Sequence, residues 1–85
     1  MVGLRQLLLE NNIAVVEDYS KPMLLNPKRK IHYVVFMVRG KEYIFSETDI
    51  SYMLTQEYDE ICFTENPKLI MKAIKTIIKG KWYGN

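Results

Sequence analysis

IHYVVFMVRGKEYIFSE, residues 31–47, holds two runs of β-branched and aromatic residues on either side of Arg39-Gly40-Lys41. Such runs favour extended backbone, and glycine supplies the freedom a tight hairpin needs. The first run is apolar on both faces. Ile31, Tyr33, Val35 and Met37 alternate with Val34, Phe36 and Val38. A half-exposed strand would alternate apolar with polar, so this one is expected to be interior and covered on both sides. A sheet left open at Val34, Phe36 and Val38 would be an unusual patch for a monomer. The second cover is therefore expected from the 20–30 connection, a second copy or a partner.

Downstream, Asn66 is a good helix N-cap and Pro67 suits the first helical position. Ile70, Ala73, Ile74, Ile77 and Ile78 form an apolar stripe and Gly80 ends it. Lys68, Lys72, Lys75 and Lys79 make a cationic ridge opposite, and Trp82 and Tyr83 are expected to fold back on the stripe. Between hairpin and helix, SETDISYML (46–54) reads as a short helix, because Ser46 or Thr48 can cap it with Asp49 at capping-box spacing. TQEYDE then reads as a turn and EICFT (60–64) as a short strand. Upstream, residues 2–11 read as a helix, with Leu4, Leu7 and Leu8 on one side and an Asn11-Asn12 stop. Residues 13–19 read as a strand, and 20–30 as a connection broken by Pro22 and Pro27. The expected architecture is α+β: a small antiparallel three- or four-stranded sheet with N- and C-terminal helices packed on one face.

At 85 residues the chain is one domain, 1–85, with 48% hydrophobic residues. A chain this short buries only about 60–65% of its unfolded surface, so modest stability is expected. No apolar run approaches the roughly 18 residues that span a membrane. MVGLRQLLLE lacks the basic region, apolar stretch and cleavage site of a signal peptide. A lone cysteine, Cys62, suits a reducing compartment, and a cytoplasmic location is expected.

The net charge of +2 conceals segregation. Residues 21–41 hold six basic residues and no acid, and 66–85 hold five lysines and no acid. Residues 42–65 hold seven acids and no base: Glu42, Glu47, Asp49, Glu57, Asp59, Glu60 and Glu65. Blocks of this kind can give acidic and basic surfaces.

Little in the chain points to catalysis. His32 and Cys62 are the only histidine and cysteine, and they make a nucleophile–base pair only if folding joins them. No Cys/His spacing suits zinc, and Asp49, Glu57, Asp59 and Glu60 do not follow the calcium-loop pattern. No glycine-rich phosphate loop is present. No catalytic residue, metal site or cofactor is assigned, and the chain is expected not to be an enzyme.

Two binding chemistries remain. Lys28, Arg29, Lys30, Lys72, Lys75 and Lys79 form a candidate phosphate-contacting set. The order helix–strands–helix, with His32 four residues before Phe36 and then VRGKEY, resembles a double-stranded-RNA-binding domain. Weak, salt-sensitive binding at most is expected, because the acidic block opposes it. The acidic block is the other candidate. Tyr52, Met53, Tyr58 and Phe63 are interleaved with its acids, and aromatic residues and Met favour interface cores. The candidate partner-binding residues are Glu42, Glu47, Asp49, Tyr52, Glu57, Tyr58, Asp59 and Glu60.

GKEYIFSE (40–47) resembles, in its pattern G-x-E-Y-x-x-S-E, the hairpin of a Listeria-phage anti-CRISPR family that inhibits type II-A Cas9. The resemblance implies an α+β fold and an acidic face that occupies a DNA-recognition site, with Glu42 and Glu47 on or near it. The expected function is a small inhibitor, encoded by a phage or mobile element and acting in the host cytoplasm. It would bind a basic host protein or ribonucleoprotein. The alternatives are a basic nucleic-acid-binding module and a homodimeric accessory protein.

Overall fold

A computed structural model describes residues 3–80. Seven elements follow in order: α1 (Leu4–Glu10), β1 (Val15–Pro22), β2 (Lys30–Val38), β3 (Lys41–Glu47), β4 (Tyr52–Gln56), β5 (Asp59–Thr64) and α2 (Pro67–Ile78). The strands form one antiparallel sheet in chain order, β1-β2-β3-β4-β5. The fold is α+β with two helices, and its sheet has five strands where three or four were expected.

The β2–β3 hairpin turns on Arg39 and Gly40, with φ of 50° and 78°. Positive φ at both central positions is the type I′ signature, whose twist matches that of the flanking strands. The pairing Val38↔Lys41 closes the hairpin and sets its register.

The expected helix over 46–54 is not formed. Ser46 and Glu47 end β3, a turn spans Thr48–Ser51, and Tyr52 opens β4. The capping chemistry is present but serves the turn. Thr48 Oγ1 accepts from the Ile50 and Ser51 amides at 3.2 and 3.0 Å, and the Thr48 amide donates to the Ser51 carbonyl at 2.9 Å. A threonine hydroxyl caps either a helix or a tight turn, and here strand pairing on both sides selects the turn.

α2 follows its sequence signals. Asn66 Oδ1 accepts from the Lys68 amide at 2.9 Å, and Pro67 occupies the first turn. At the other end Gly80 has φ 75° and its amide donates to the Ile77 carbonyl at 3.0 Å. Arg39 reaches across from the β2–β3 turn. Its guanidinium donates to the Ile78 carbonyl at 3.0 Å and to the Ile77 carbonyl beside it. Both carbonyls lie in the last turn of the helix, where Ile77 also accepts from Gly80, and a cation there interacts favourably with the negative end of the helix dipole. The expected packing of Trp82 and Tyr83 lies outside the described residues.

One core joins both helices to one sheet face. It contains Leu4 and Leu8 of α1, Val34, Phe36 and Val38 of β2, Tyr43 and Phe45 of β3, Leu54 of β4, and Ile70, Ala73, Ile74 and Ile77 of α2. The Val34, Phe36 and Val38 side of β2 is thus the covered side, and the face left without a helix carries Ile31, Tyr33, Val35 and Met37. The 23–29 connection does not bury its leucines there, since Leu24 and Leu25 are each 99% exposed.

Candidate functional site

Because partners in adjacent antiparallel strands share a face, the register lays out the helix-free face in rows. Met37 and Glu42 lie opposite each other near the β2–β3 turn. The next row runs Glu17, Val35, Ile44, Thr55 and Glu60 from β1 to β5. The row beyond runs Tyr19, Tyr33, Ser46, Met53 and Phe63. Lys21 and Ile31 follow. The Tyr19 and Tyr33 rings stack at 5.1 Å between centroids, and the Lys21 ammonium sits 5.4 Å from the Tyr19 ring centre.

This face is apolar across its middle. Val35 is 5% exposed, and Met37 and Phe63 are 39% and 59% exposed. The solvated side of an antiparallel sheet is usually polar. Instead, aromatic, branched and thioether side chains occupy it, with the exposed carboxylates Glu17, Glu42 and Glu60 along the end that bears the β2–β3 and β4–β5 turns. None of these three carboxylates makes an ion pair among the described residues.

The structure divides the expected acidic site between the two ends of the sheet. Glu42, Glu57, Tyr58, Asp59 and Glu60 gather at the end bearing the β2–β3 and β4–β5 turns, and Tyr58 is fully exposed at the tip of the β4–β5 turn. Asp59 points to the helix-bearing side, in register with Gln56 and Tyr43. Lys41 shares this end on the helix-bearing side, as does Arg39, whose guanidinium holds α2.

Glu47, Asp49 and Tyr52 belong to the opposite end, and two of them are engaged by cations or a histidine. Arg29 binds Asp49, and its hydrogen bond holds the Asp49 carboxyl below its ordinary value. Glu47 Oε1 lies 3.9 Å from His32 Nδ1. His32 Nε2 donates to Asp18 Oδ1 at 2.5 Å, and Arg5 of α1 meets the other oxygen of Asp18 at 2.5 Å. The His32 hydrogen bond lowers the Asp18 pKa, against partial desolvation and with help from Arg5. Tyr52 is half-buried on the helix-bearing side, with its ring 6.3 Å from that of Phe45.

The basic residues are also divided. Lys28 and Arg29 belong to the β1–β2 connection and Lys30 opens β2, whereas Lys72, Lys75 and Lys79 ride on or just beyond α2, which packs on β4 and β5. They do not form one surface. His32 and Cys62 lie on strands separated by β3 and β4, roughly three strand spacings or about 14 Å, and do not make a pair. Cys62 is half-buried against the core, and burial pushes its thiol pKa up, with Glu60 adding to the rise. A raised pKa opposes the thiolate that nucleophilic chemistry needs. Among the described residues no group of three or more His, Cys, Asp or Glu side chains is arranged to hold a metal ion. No helix there is long and apolar enough to cross a membrane.

Glu17, Tyr33, Val35, Met37 and Ile44 were not singled out as site residues from the sequence. Their signal was the second apolar face of residues 31–37, read together with the register that Arg39-Gly40 imposes. Compared with protein-family models, curated proteins and solved structures, the chain matches none.

Proposed function

We propose that the chain is a non-enzymatic binding protein whose helix-free sheet face covers a basic, phosphate-binding surface of another protein or ribonucleoprotein. One observation carries this reading: among the described residues, an apolar sheet face without a helix on it, with the carboxylates Glu17, Glu42 and Glu60 along one end and in no ion pair. Tyr33, Met37, Met53 and Phe63 supply aromatic and thioether area of the kind enriched at interface centres. The carboxylates, with Glu57 at the adjoining turn, steer a cationic partner and compete with phosphate for it. Inhibition of a host nucleic-acid-handling complex, as the anti-CRISPR resemblance of GKEYIFSE implies, is the most concrete form of this activity.

The test has two parts. Sedimentation of the purified chain reports whether a second copy covers the face. Capture from the native host lysate then compares the parent with Met53→Lys and with a Glu42→Gln, Glu60→Gln pair. We expect a monomer that retains one basic partner, which Met53→Lys loses and the charge-neutral pair binds more slowly. A stable dimer that buries Met37 and Phe63 would replace this reading with the homodimer. Equal capture by all three proteins would remove the face from the function.

A further inference from the structure

A second surface stands apart from the helix-free face. Along α2 and just beyond it, Lys68, Lys72, Lys75 and Lys79 border a groove of about 860 Å³, with Tyr52 and Met71 also lining it. The lysines recur at four, three and four residues, so they form one row about 16 Å long at 1.5 Å rise per residue. None of the four makes an ion pair among the described residues. Tyr52 pairs with Glu47 on β3, which faces His32, and with Thr64 on β5, which the exposed Glu65 follows.

We propose that this groove binds a short stretch of single-stranded nucleic acid. A row of mobile ammonium groups matches a phosphate chain in charge and in linear form. The aromatic and thioether side chains favour unpaired bases over a duplex, since only unpaired bases expose faces to stack on them. Tyr52 is braced for such a role, because its ring lies at 25° to the Phe45 ring at 6.3 Å and is thereby held against the core. The contact reads no base edges, so recognition is independent of sequence. Four contacts to a single strand correspond to a slope of about −3 in log affinity against log salt.

This proposal rests on the groove alone and does not require the protein-binding reading. The experiment is a fluorescence-anisotropy titration of the full chain against a labelled ten-nucleotide oligothymidylate over a salt series. A duplex of equal length is the second arm. We expect salt-dependent binding that is tighter for the single strand. Lys72→Gln with Lys75→Gln should weaken it at least tenfold and reduce the slope by about 1.4, from two contacts at 0.7 each. Tyr52→Leu should weaken binding with the slope unchanged, which a purely electrostatic contact would not show. Lys28→Gln with Lys30→Gln, at the β1–β2 connection and outside the groove lining, should change neither affinity nor slope. The lysine substitutions lie on the exposed side of α2 and leave the core untouched. The proposal is overturned if the two lysine pairs weaken binding equally, if the duplex binds more tightly, or if the parent does not bind at low salt.

Discussion

The two faces of the sheet are both apolar, yet they are buried by different means. On one, Val34, Phe36, Phe45 and Leu54 reach zero exposure beneath α1 and α2. On the other, Val35 is nearly as buried although no described helix packs on that face, while Met37 and Phe63 stay open. An apolar strand is therefore evidence that both its sides avoid water, but the described residues supply a helical layer for one side only. The remaining side is a candidate binding surface for that reason, and the contrast can be measured residue by residue.

The largest expected effect is on the covered face. Phe36→Ala should cost about 3–5 kcal/mol in a urea melt, as other buried phenylalanine truncations do. Met37→Ala, one residue on and on the open face, should cost no more than about 1 kcal/mol. Equal losses at 36 and 37 would mean that something covers the open face in solution.

The next effect concerns how α2 is held on its face. Arg39→Ala should cost about 1–2 kcal/mol, because it leaves two helix-end carbonyls without a cationic donor. Gly80→Ala should cost about 1 kcal/mol through its left-handed backbone, with the new Cβ 3.5 Å from the Arg39 guanidinium. A neutral Arg39→Ala would show that apolar packing alone fixes the helix.

At the β4–β5 turn Glu57 has φ 55°, a conformation that glycine adopts more readily. Glu57→Gly should raise stability by up to about 1 kcal/mol while weakening partner capture. A gain in both would remove Glu57 from the binding surface.

The smallest effect is on acid stability. The Asp18 pKa is lowered in the folded chain, first by its hydrogen bond to His32. Its contribution is thus complete above its ordinary value near 3.8 and is lost as pH falls through the lower folded value. Asp18→Asn should flatten the acid limb of the stability curve below about pH 4, whereas Glu60→Gln on the open face should leave that limb unchanged. An unaltered limb in Asp18→Asn would deny the Arg5–Asp18–His32 cluster an energetic role.

Much of this architecture was legible before folding, for identifiable reasons. The β2–β3 hairpin announced itself through two β-rich runs around Arg39-Gly40, and α2 through Asn66-Pro67 and its isoleucine stripe. Both signals are local. Residues 46–54 misled because Thr48 offers the same hydroxyl to a turn or a helix, and only pairing with β3 and β5 chooses. The acidic block was plain as a count of charges, but its division was hidden. Arg29 meets Asp49 across 20 residues of chain and His32 meets Asp18 across 14, and no local pattern encodes such pairs. The choice of face taken by the helices was equally invisible in residues 31–38, where both sides look alike.

The Arg39 clasp also bears on the order in which the chain assembles. Every strand pairs with its sequence neighbour, so the sheet grows through short closures that form early. The clasp instead joins residues 38 and 39 positions apart, and it can close only after α2 has settled on a finished sheet. An interaction made after the rate-limiting barrier slows unfolding without hastening folding. Arg39→Ala should therefore steepen escape from the native state, raising the unfolding rate in a stopped-flow chevron while the refolding arm stays in place. The guanidinium acts as a latch on lifetime, in a molecule whose speed of formation is governed by its hairpins.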